Sequence, residues 1–236
     1  YDPERLVSPL HRPKPGTDDQ RTLGFKGLGL KQMAAYGHRV PEGFVLSTEL
    51  FEALPAMSYP PLYDDTMERI RLALGVLERQ TGRRLGHVRR PLLLSIRSGA
   101  AISMPGLMTT FVNVGLNDAL AETVAQAPGF AWAAWDGYRR LLQSWAMSDG
   151  LERDFFDAIM TEFKARYGVE QKLGFTAAQM REIAMAYKDR ALDSGVRFVE
   201  DPWMQVVTCI RKVLDSWESP HARLYRQYIG IAEEWG

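Results

Sequence analysis

Two cation-bearing stretches carry the chemistry legible in this sequence. The first is Gly24-Phe25-Lys26-Gly27-Leu28-Gly29-Leu30-Lys31. Glycines let a backbone approach a ligand closely, and a helix that follows offers unpaired N–H groups and the positive end of its dipole. Lys26 adds a point charge suited to a phosphate. The stretch lacks the terminal Lys-Ser/Thr pair of a P-loop, and a turn packed closely on the next helix accounts for the glycines equally well. The second stretch is Ser95-Ile96-Arg97-Ser98-Gly99-Ala100, followed by Ser103-Met104-Pro105-Gly106. Arg97 stands at the end of an apolar run, where its guanidinium meets a loop. Its planar fork can give a phosphate two parallel charge-assisted bonds. The structural alternative is an arginine that closes the loop on a carboxylate, and spacing alone does not choose between them.

Other residue types offer less. The histidines, His11, His38, His87 and His221, have no metal-ligand spacing. The single cysteine, Cys209, lies near Val206 and Ile210 on a helix and reads as a buried thiol rather than a nucleophile. Trp132, Trp135, Tyr138 and Trp145 form an aromatic stripe at helical spacing, which reads as core rather than a stacking platform. Asp64-Asp65 and Asn117-Asp118 sit where helix caps are expected, and Arg83-Arg84 and Arg89-Arg90 read as solvated loop charge.

These stretches must be held by regular elements. Four prolines in residues 1–22 (Pro3, Pro9, Pro13 and Pro15) predict an irregular arm with neither helix nor central strand. After the glycine stretch a short helix is expected, with Leu30, Met33 and Ala34 on one face and Gly37 beyond its end. Phe44–Leu46 reads as a strand, Ser47 or Thr48 as a cap, and Ser58–Pro61 as a loop. A helix from Asp64 or Asp65 to Gln80 has the stripe Met67, Ile70, Leu74 and Leu77. Residues 91–97 read as a buried strand and Thr110 to Val114 as another. From residue 117 onward the pattern is helical. Thr176-Ala-Ala-Gln179 has the form of a capping box, and Asp201-Pro202 and Ser219-Pro220 are N-cap and first-turn pairs. The stripe of the Asp201 helix is Trp203, Val206, Ile210, Leu214 and Trp217. The expected fold class is α+β, with strands concentrated before residue 116 and a hinge near 115–118.

The 236 residues carry 29 basic and 29 acidic side chains, so the formal charge is 29 − 29 = 0. That balance lacks the overall basic character of a nucleic-acid binder. The 46% hydrophobic content excludes a largely disordered chain. No apolar run is long enough to span a bilayer, and no signal-peptide h-region follows Tyr1. One cysteine fits a reducing, cytoplasmic setting. The first residue is not Met, so the chain is expected to begin inside a longer gene product.

The run from Leu94 to Gly106, continued by Asn113-Val-Gly-Leu-Asn-Asp118, resembles the nucleotide-binding domain of the pyruvate phosphate dikinase family. Gly24 to Leu30 with Val40-Pro-Glu-Gly-Phe-Val45 is similar to that family's glycine–lysine opening and strand entry. Ser216-Trp217, Pro220, Ala222, Arg223 and Tyr225-Arg226 resemble the end of its helical segment. The resemblance covers most of residues 23–230. It implies an ATP-grasp-like first lobe, a small mixed sheet with helices, over 23–116. A helical subdomain over 117–200 and helices over 201–236 would lead to a second lobe beyond this chain.

The implied reaction converts ATP, phosphate and pyruvate to AMP, diphosphate and phosphoenolpyruvate through a phosphohistidine on another domain. The resemblance puts Lys26 and Arg97 on the ATP phosphates and the loop with Ser98, Gly99, Ser103, Met104 and Gly106 beside them. It places no catalytic residue and no metal ligand in this chain. Mg2+ would arrive with ATP, its protein ligands lying outside the chain. The implied partners are ATP and the phosphohistidine and pyruvate-binding domains of the same protein, with no nucleic acid or membrane; the resemblance leaves room for a homodimer. The chain departs from the family pattern at Phe25, which replaces a glycine, at Leu28-Gly29, which replace Ala-Asn, and at Thr109, which replaces Asp. The alternatives are a water dikinase of the phosphoenolpyruvate synthase type, against which Ser103-Met-Pro-Gly106 argues, and a non-catalytic nucleotide-binding or interaction module.

Overall fold

The computed structural model describes residues 2–12, 18–99 and 108–230. It is an α+β structure in which helices dominate. Contacts divide the chain into two compact units that interleave along the sequence. The first comprises Tyr1–Gly82, Ser98–Met108 and Trp217–Gly236; the second comprises Arg83–Arg97 and Thr109–Ser216.

In the first unit, strand β1 (Val7–Pro9) pairs antiparallel with β2 (Phe44–Leu46), Val7 facing Leu46 and Pro9 facing Phe44. The segment expected to be an irregular arm therefore contributes a strand, preceded by a 3-10 turn at Pro3–Arg5. Pro9 can sit there because it ends the strand of a two-stranded sheet, where a missing N–H is tolerated. Helix α1 (Gln20–Ala35) starts upstream of the glycine run, capped by Asp19, whose carboxylate accepts the Thr22 amide at 2.7 Å. That cap and the Thr22 hydroxyl bond pull the Asp19 carboxyl below its ordinary range. The buried positions of α1 include Leu23, Gly27 and Lys31, while Met33 is 46% exposed, so the face expected from Leu30, Met33 and Ala34 is not the packed one. Lys31 misled that reading, because it is buried. Its ammonium donates to Ser8 Oγ at 2.6 Å and to the Arg12 carbonyl at 2.9 Å, and pairs with Asp18 at 2.9 Å. Three partners match the three ammonium donors and tie residues 8, 12 and 18 to α1.

Gly37, at φ 81°, follows the end of α1 as expected. A short helix α2 (Glu49–Ala53) precedes α3 (Pro60–Thr81). The α3 start lies before the expected aspartates, because Pro60 and Pro61 occupy its first turn, where the missing N–H costs nothing. Ile70, Leu74 and Leu77 form its buried stripe, and Gly82 ends it in the left-handed conformation. Trp217 meets Phe51 edge-on at 6.2 Å and lies under the Arg226 guanidinium of α9 (Pro220–Tyr228).

In the second unit, β3 (Leu94–Arg97) pairs antiparallel with β4 (Thr110–Val114). The expected mixed sheet thus takes the form of two separate antiparallel pairs, each made by short strands within its own unit. β3 alternates half-buried and exposed residues rather than being buried on both faces. Leu94 faces Val114 and Ile96 faces Phe111, so β4 holds one extra residue in a bulge. Asn113 lies in that bulge at φ 60°, a conformation asparagine tolerates. Its amide donates to the Gly137 carbonyl at 3.1 Å.

Gly137 belongs to α5 (Ala131–Ser148), which follows α4 (Asp118–Ala125) and precedes α6 (Arg153–Tyr167), α7 (Ala177–Asp193) and α8 (Pro202–Trp217). Trp135, Tyr138 and Trp145 are core residues, as the stripe implies, and Phe111 of β4 meets Trp145 at 6.3 Å. By contacts β3 and β4 group with these helices, because β4 packs into their core. The Thr176–Gln179 capping box is present. Cys209 is fully buried, and burial pushes its thiol up to about 12.

Gln205 fastens the segment expected to be a hinge. Its Oε1 accepts the Gly115 amide at 2.9 Å, and its Nε2 donates to the Leu116 and Val199 carbonyls at 2.8 Å each. Gly115, at φ 108°, admits no side chain, since a Cβ would lie 3.0 Å from the Leu92 carbonyl. Residues 115–118 are therefore an internal junction of the second unit. Val206, Cys209 and Val213 share the buried face of α8 with Gln205, which displaces the expected stripe by about one position. Among the described residues no helix is long and apolar enough to cross a membrane.

Two outcomes test this packing. Gln205→Ala orphans one amide and two carbonyls, so urea unfolding should show a loss of about 2–3 kcal/mol; a loss within about 0.5 kcal/mol, the scale of an ordinary surface change, contradicts the network. Asp136, on α5, is held by Arg139 at 2.8 Å and Lys172 at 3.1 Å. Burial alone would raise its carboxyl, but the two cations hold it below the ordinary value of 3.8. A depressed carboxylate contributes stability above its unfolded value and loses it as pH falls through the lower, folded value. Asp136→Asn should therefore cost on the order of 3 kcal/mol at pH 7, with the gap to wild type closing only below an ordinary aspartate's titration range. A gap independent of pH contradicts the role of the ionised pair.

Candidate functional site

The glycine–lysine stretch is a broken helix. Gly24, at φ 69° and ψ 165°, interrupts α1 so that a new helical segment starts at Phe25. Only glycine adopts that φ without strain. Gly27 is required for packing: a Cβ there would lie 3.0 Å and 3.1 Å from the two methyl groups of Val45 on β2. Gly29 has nothing within 4 Å of the position a Cβ would take. The bland explanation of the glycines thus holds for Gly27, whereas Gly24 shapes the local backbone and Gly29 leaves the helix surface bare.

Lys26 sits in the first turn after the break and is exposed. Its ammonium lies 3.4 Å from the Ser98 carbonyl, a contact spanning 72 residues. Gly99 follows over the same turn, where a Cβ would lie 3.5 Å from the Leu23 carbonyl and 3.9 Å from the Gly27 nitrogen. The first unit therefore brings Lys26, Ser98 and Gly99 together at the Gly24 break. Phe25 is 60% exposed.

Arg97 is the last residue of β3, in the second unit, opposite Thr110. Its side chain is exposed, and its Nε donates to Ser95 Oγ at 3.0 Å. Ser95 accepts from Arg97 two positions along the same strand face, a period-two relation present in the sequence but not singled out as one. Among the described residues no carboxylate pairs with Arg97 or with Lys26. Among the described residues, then, the loop-closing ion pair weighed as the alternative for Arg97 is not formed. An exposed guanidinium or ammonium of this kind offers an anion its donors.

Ser103, Met104 and Gly106 lie outside the described residues. Thr109 is described: its amide donates to Ser216 Oγ at 3.3 Å. Among the described residues no group of three or more His, Cys, Asp or Glu could hold a metal ion. The Lys26 ammonium and the Arg97 guanidinium are hydrogen-bond donors, suited to oxyanions rather than to a cation.

No family model matches the chain. Among curated proteins it is 35% identical over 223 residues to pyruvate, phosphate dikinase of Rhizobium meliloti, covering 93% of this chain and 24% of that protein. It is 38% identical over 217 residues to the chloroplastic pyruvate, phosphate dikinase of Flaveria pringlei, covering 89% of this chain and 22% of that protein. Against the chloroplastic pyruvate, phosphate dikinase 1 of Arabidopsis thaliana the identity is 38% over 206 residues, covering 86% and 21%. The chain thus spans less than a quarter of the length of these relatives. Over most of its own length, this chain is related in sequence to one stretch of the pyruvate, phosphate dikinases.

Proposed function

We propose that this chain is the nucleotide-holding part of a pyruvate, phosphate dikinase-like phosphotransferase, with an ATP-grasp-like lobe whose loop lies along the ATP phosphates. The single observation that carries this reading is the approach of Lys26 to Ser98 and Gly99 at the Gly24 break, where no carboxylate among the described residues pairs with the ammonium. Sequence stretches separated by 72 residues are joined there by an exposed cation, a bare backbone and a fresh helical turn. That combination suits an oxyanion.

In this reading Lys26 and Arg97 are electrostatic clamps. Phosphoryl transfer asks a protein chiefly to position the nucleotide and to oppose the charge on its phosphate oxygens. The Lys26 ammonium supplies a point charge, and the Arg97 fork supplies directed donors whose orientation Ser95 limits. Ser98 and Gly99 set the backbone path past the phosphates; Ser103, Met104 and Gly106 are assigned to the same loop by the family resemblance alone. Neither side chain is assigned a proton-transfer role. Mg2+ would arrive with ATP and offset the charge of its phosphates, its protein ligands being expected outside this chain. The acceptor histidine and the pyruvate site belong to other segments of the full-length protein, which together with ATP are the partners; a homodimer is the assembly to test. The cytoplasmic setting is proposed from the single cysteine, which is buried and free.

The test is phosphohistidine formation by the full-length protein from ATP labelled in its β-phosphate. Arg97→Ala should lower the rate about 100-fold, the scale expected when one preorganised donor to a transition-state oxyanion is lost, while leaving the unfolding midpoint of the protein unchanged. Labelling at the wild-type rate contradicts the role given to Arg97.

A further inference from the structure

Between Glu78 and Asp118 the sequence contains no acidic residue but six arginines, Arg79, Arg83, Arg84, Arg89, Arg90 and Arg97. Four of them crowd one loop of the second unit, residues 83–90. The chain as a whole is neutral, so this is a local concentration of charge rather than a general basic character.

The loop is built to hold that concentration in place. Its neck is closed by the Arg84 amide on the Arg90 carbonyl at 2.9 Å and by the Leu92 amide on the Arg84 carbonyl at 2.8 Å. These two bonds pair Arg84 with Pro91 across the neck, so Arg90, one residue before that proline, is carried on the strand beside Arg84. Arg83 reaches the Pro91 carbonyl at 3.5 Å. His87 Nδ1 accepts the amides of both Arg89 and Arg90, at 3.2 Å and 3.3 Å, which leaves Nε2 as the ring's N–H donor. Leu85 packs against the core of the unit, and Gly86, at φ 73°, lies against Pro202, where a Cβ would be 3.1 Å from the ring. Asp201, next to that proline, is engaged with the Met204 amide at 2.8 Å. Among the described residues no carboxylate pairs with Arg84, Arg89 or Arg90, and all three are exposed. Elsewhere in the second unit, by contrast, Lys188 is shared by Asp118 and Glu200, Arg190 pairs with Glu162 and Arg181 with Glu122.

We propose that loop 83–90 is a binding site for a compact, multiply charged oxyanion of the di- or triphosphate class. Arginine suits that chemistry better than lysine, because guanidinium forks match phosphate oxygens in pairs. A ligand carrying several negative charges on few atoms answers more than one of the loop's arginines at once, which a single surface carboxylate does only in part. The rigid neck reduces the ordering that binding must impose. Free diphosphate and the phosphate tail of a nucleotide present the same chemistry, and the site distinguishes them only if it also touches a base.

Amide chemical shifts of the 236-residue chain, followed during titration at low salt, test this. Pyrophosphate and tripolyphosphate should each give saturable shifts at Arg84, Arg89 and Arg90, weakened at least tenfold in Arg84→Ala/Arg90→Ala. ATP should match tripolyphosphate, and adenosine should have no effect, if the phosphates alone are read. Lys26→Ala should leave these shifts intact, which separates this site from the nucleotide site proposed above. Three results overturn the proposal: no shifts up to millimolar pyrophosphate, shifts unaltered in the double variant, or stronger shifts from a glutamate-rich octapeptide than from pyrophosphate. The last marks the loop as a docking surface for an acidic protein.

Discussion

The break at Gly24 is the constraint on which the functional reading depends. An unbroken α1 would carry its backbone past Lys26 with every interior amide committed to the helix. At φ 69° the chain instead starts afresh at Phe25, and the segment at Ser98 and Gly99 comes down on that new turn. The conformation is open to glycine and strained for other residues. Gly27 fixes where the new turn sits, because it lies flush against Val45. Sequence thus leads directly to geometry: one glycine to bend, one to pack, and a lysine between them left facing a backbone carbonyl rather than a carboxylate.

The surroundings of this turn are held by buried polar groups whose valences are filled. Lys31 binds Ser8, Arg12 and Asp18, so residues once read as a loose arm are fastened to the helix that carries Lys26. Gln205 plays the corresponding part in the second unit, tying Gly115 and Leu116 below β4 to α8. A buried polar residue with every bond made is worth little net energy but is costly to disturb. Such residues specify where a chain goes more than how stable it is. Lys26, Arg97, Arg84, Arg89 and Arg90 differ from them: these cations are exposed, and no carboxylate among the described residues pairs with them.

Local signals were readable in the sequence, and long-range ones were not. Thr176 with Gln179, Asp201 with Pro202 and Gly37 after α1 are short-range devices whose partners lie within a few residues, and the structure shows each of them in place. The aromatic face of α5 was legible for the same reason: helical spacing alone puts Trp135, Tyr138 and Trp145 together. Sequence reading missed the strand at Val7–Pro9, whose partner is nearly forty residues away. It also missed the burial of Lys31 and Gln205, since residue type argues for exposure until the distant partner is known. Pro60 and Pro61 looked like loop residues but begin α3, because a first turn needs no donors. At the site, the type and place of Lys26 and Arg97 were legible, but their lack of counter-charges was not. That property depends on where every acidic side chain lands.

The central proposal is that the Lys26 ammonium, beside Ser98 at the Gly24 break, meets the phosphates of a nucleotide. A crystal structure of the full-length protein with a non-hydrolysable ATP analogue measures this most directly. The account expects phosphate oxygens within about 3 Å of the Lys26 ammonium, the range of charge-assisted hydrogen bonds. A triphosphate bound elsewhere, with Lys26 turned to solvent, contradicts it.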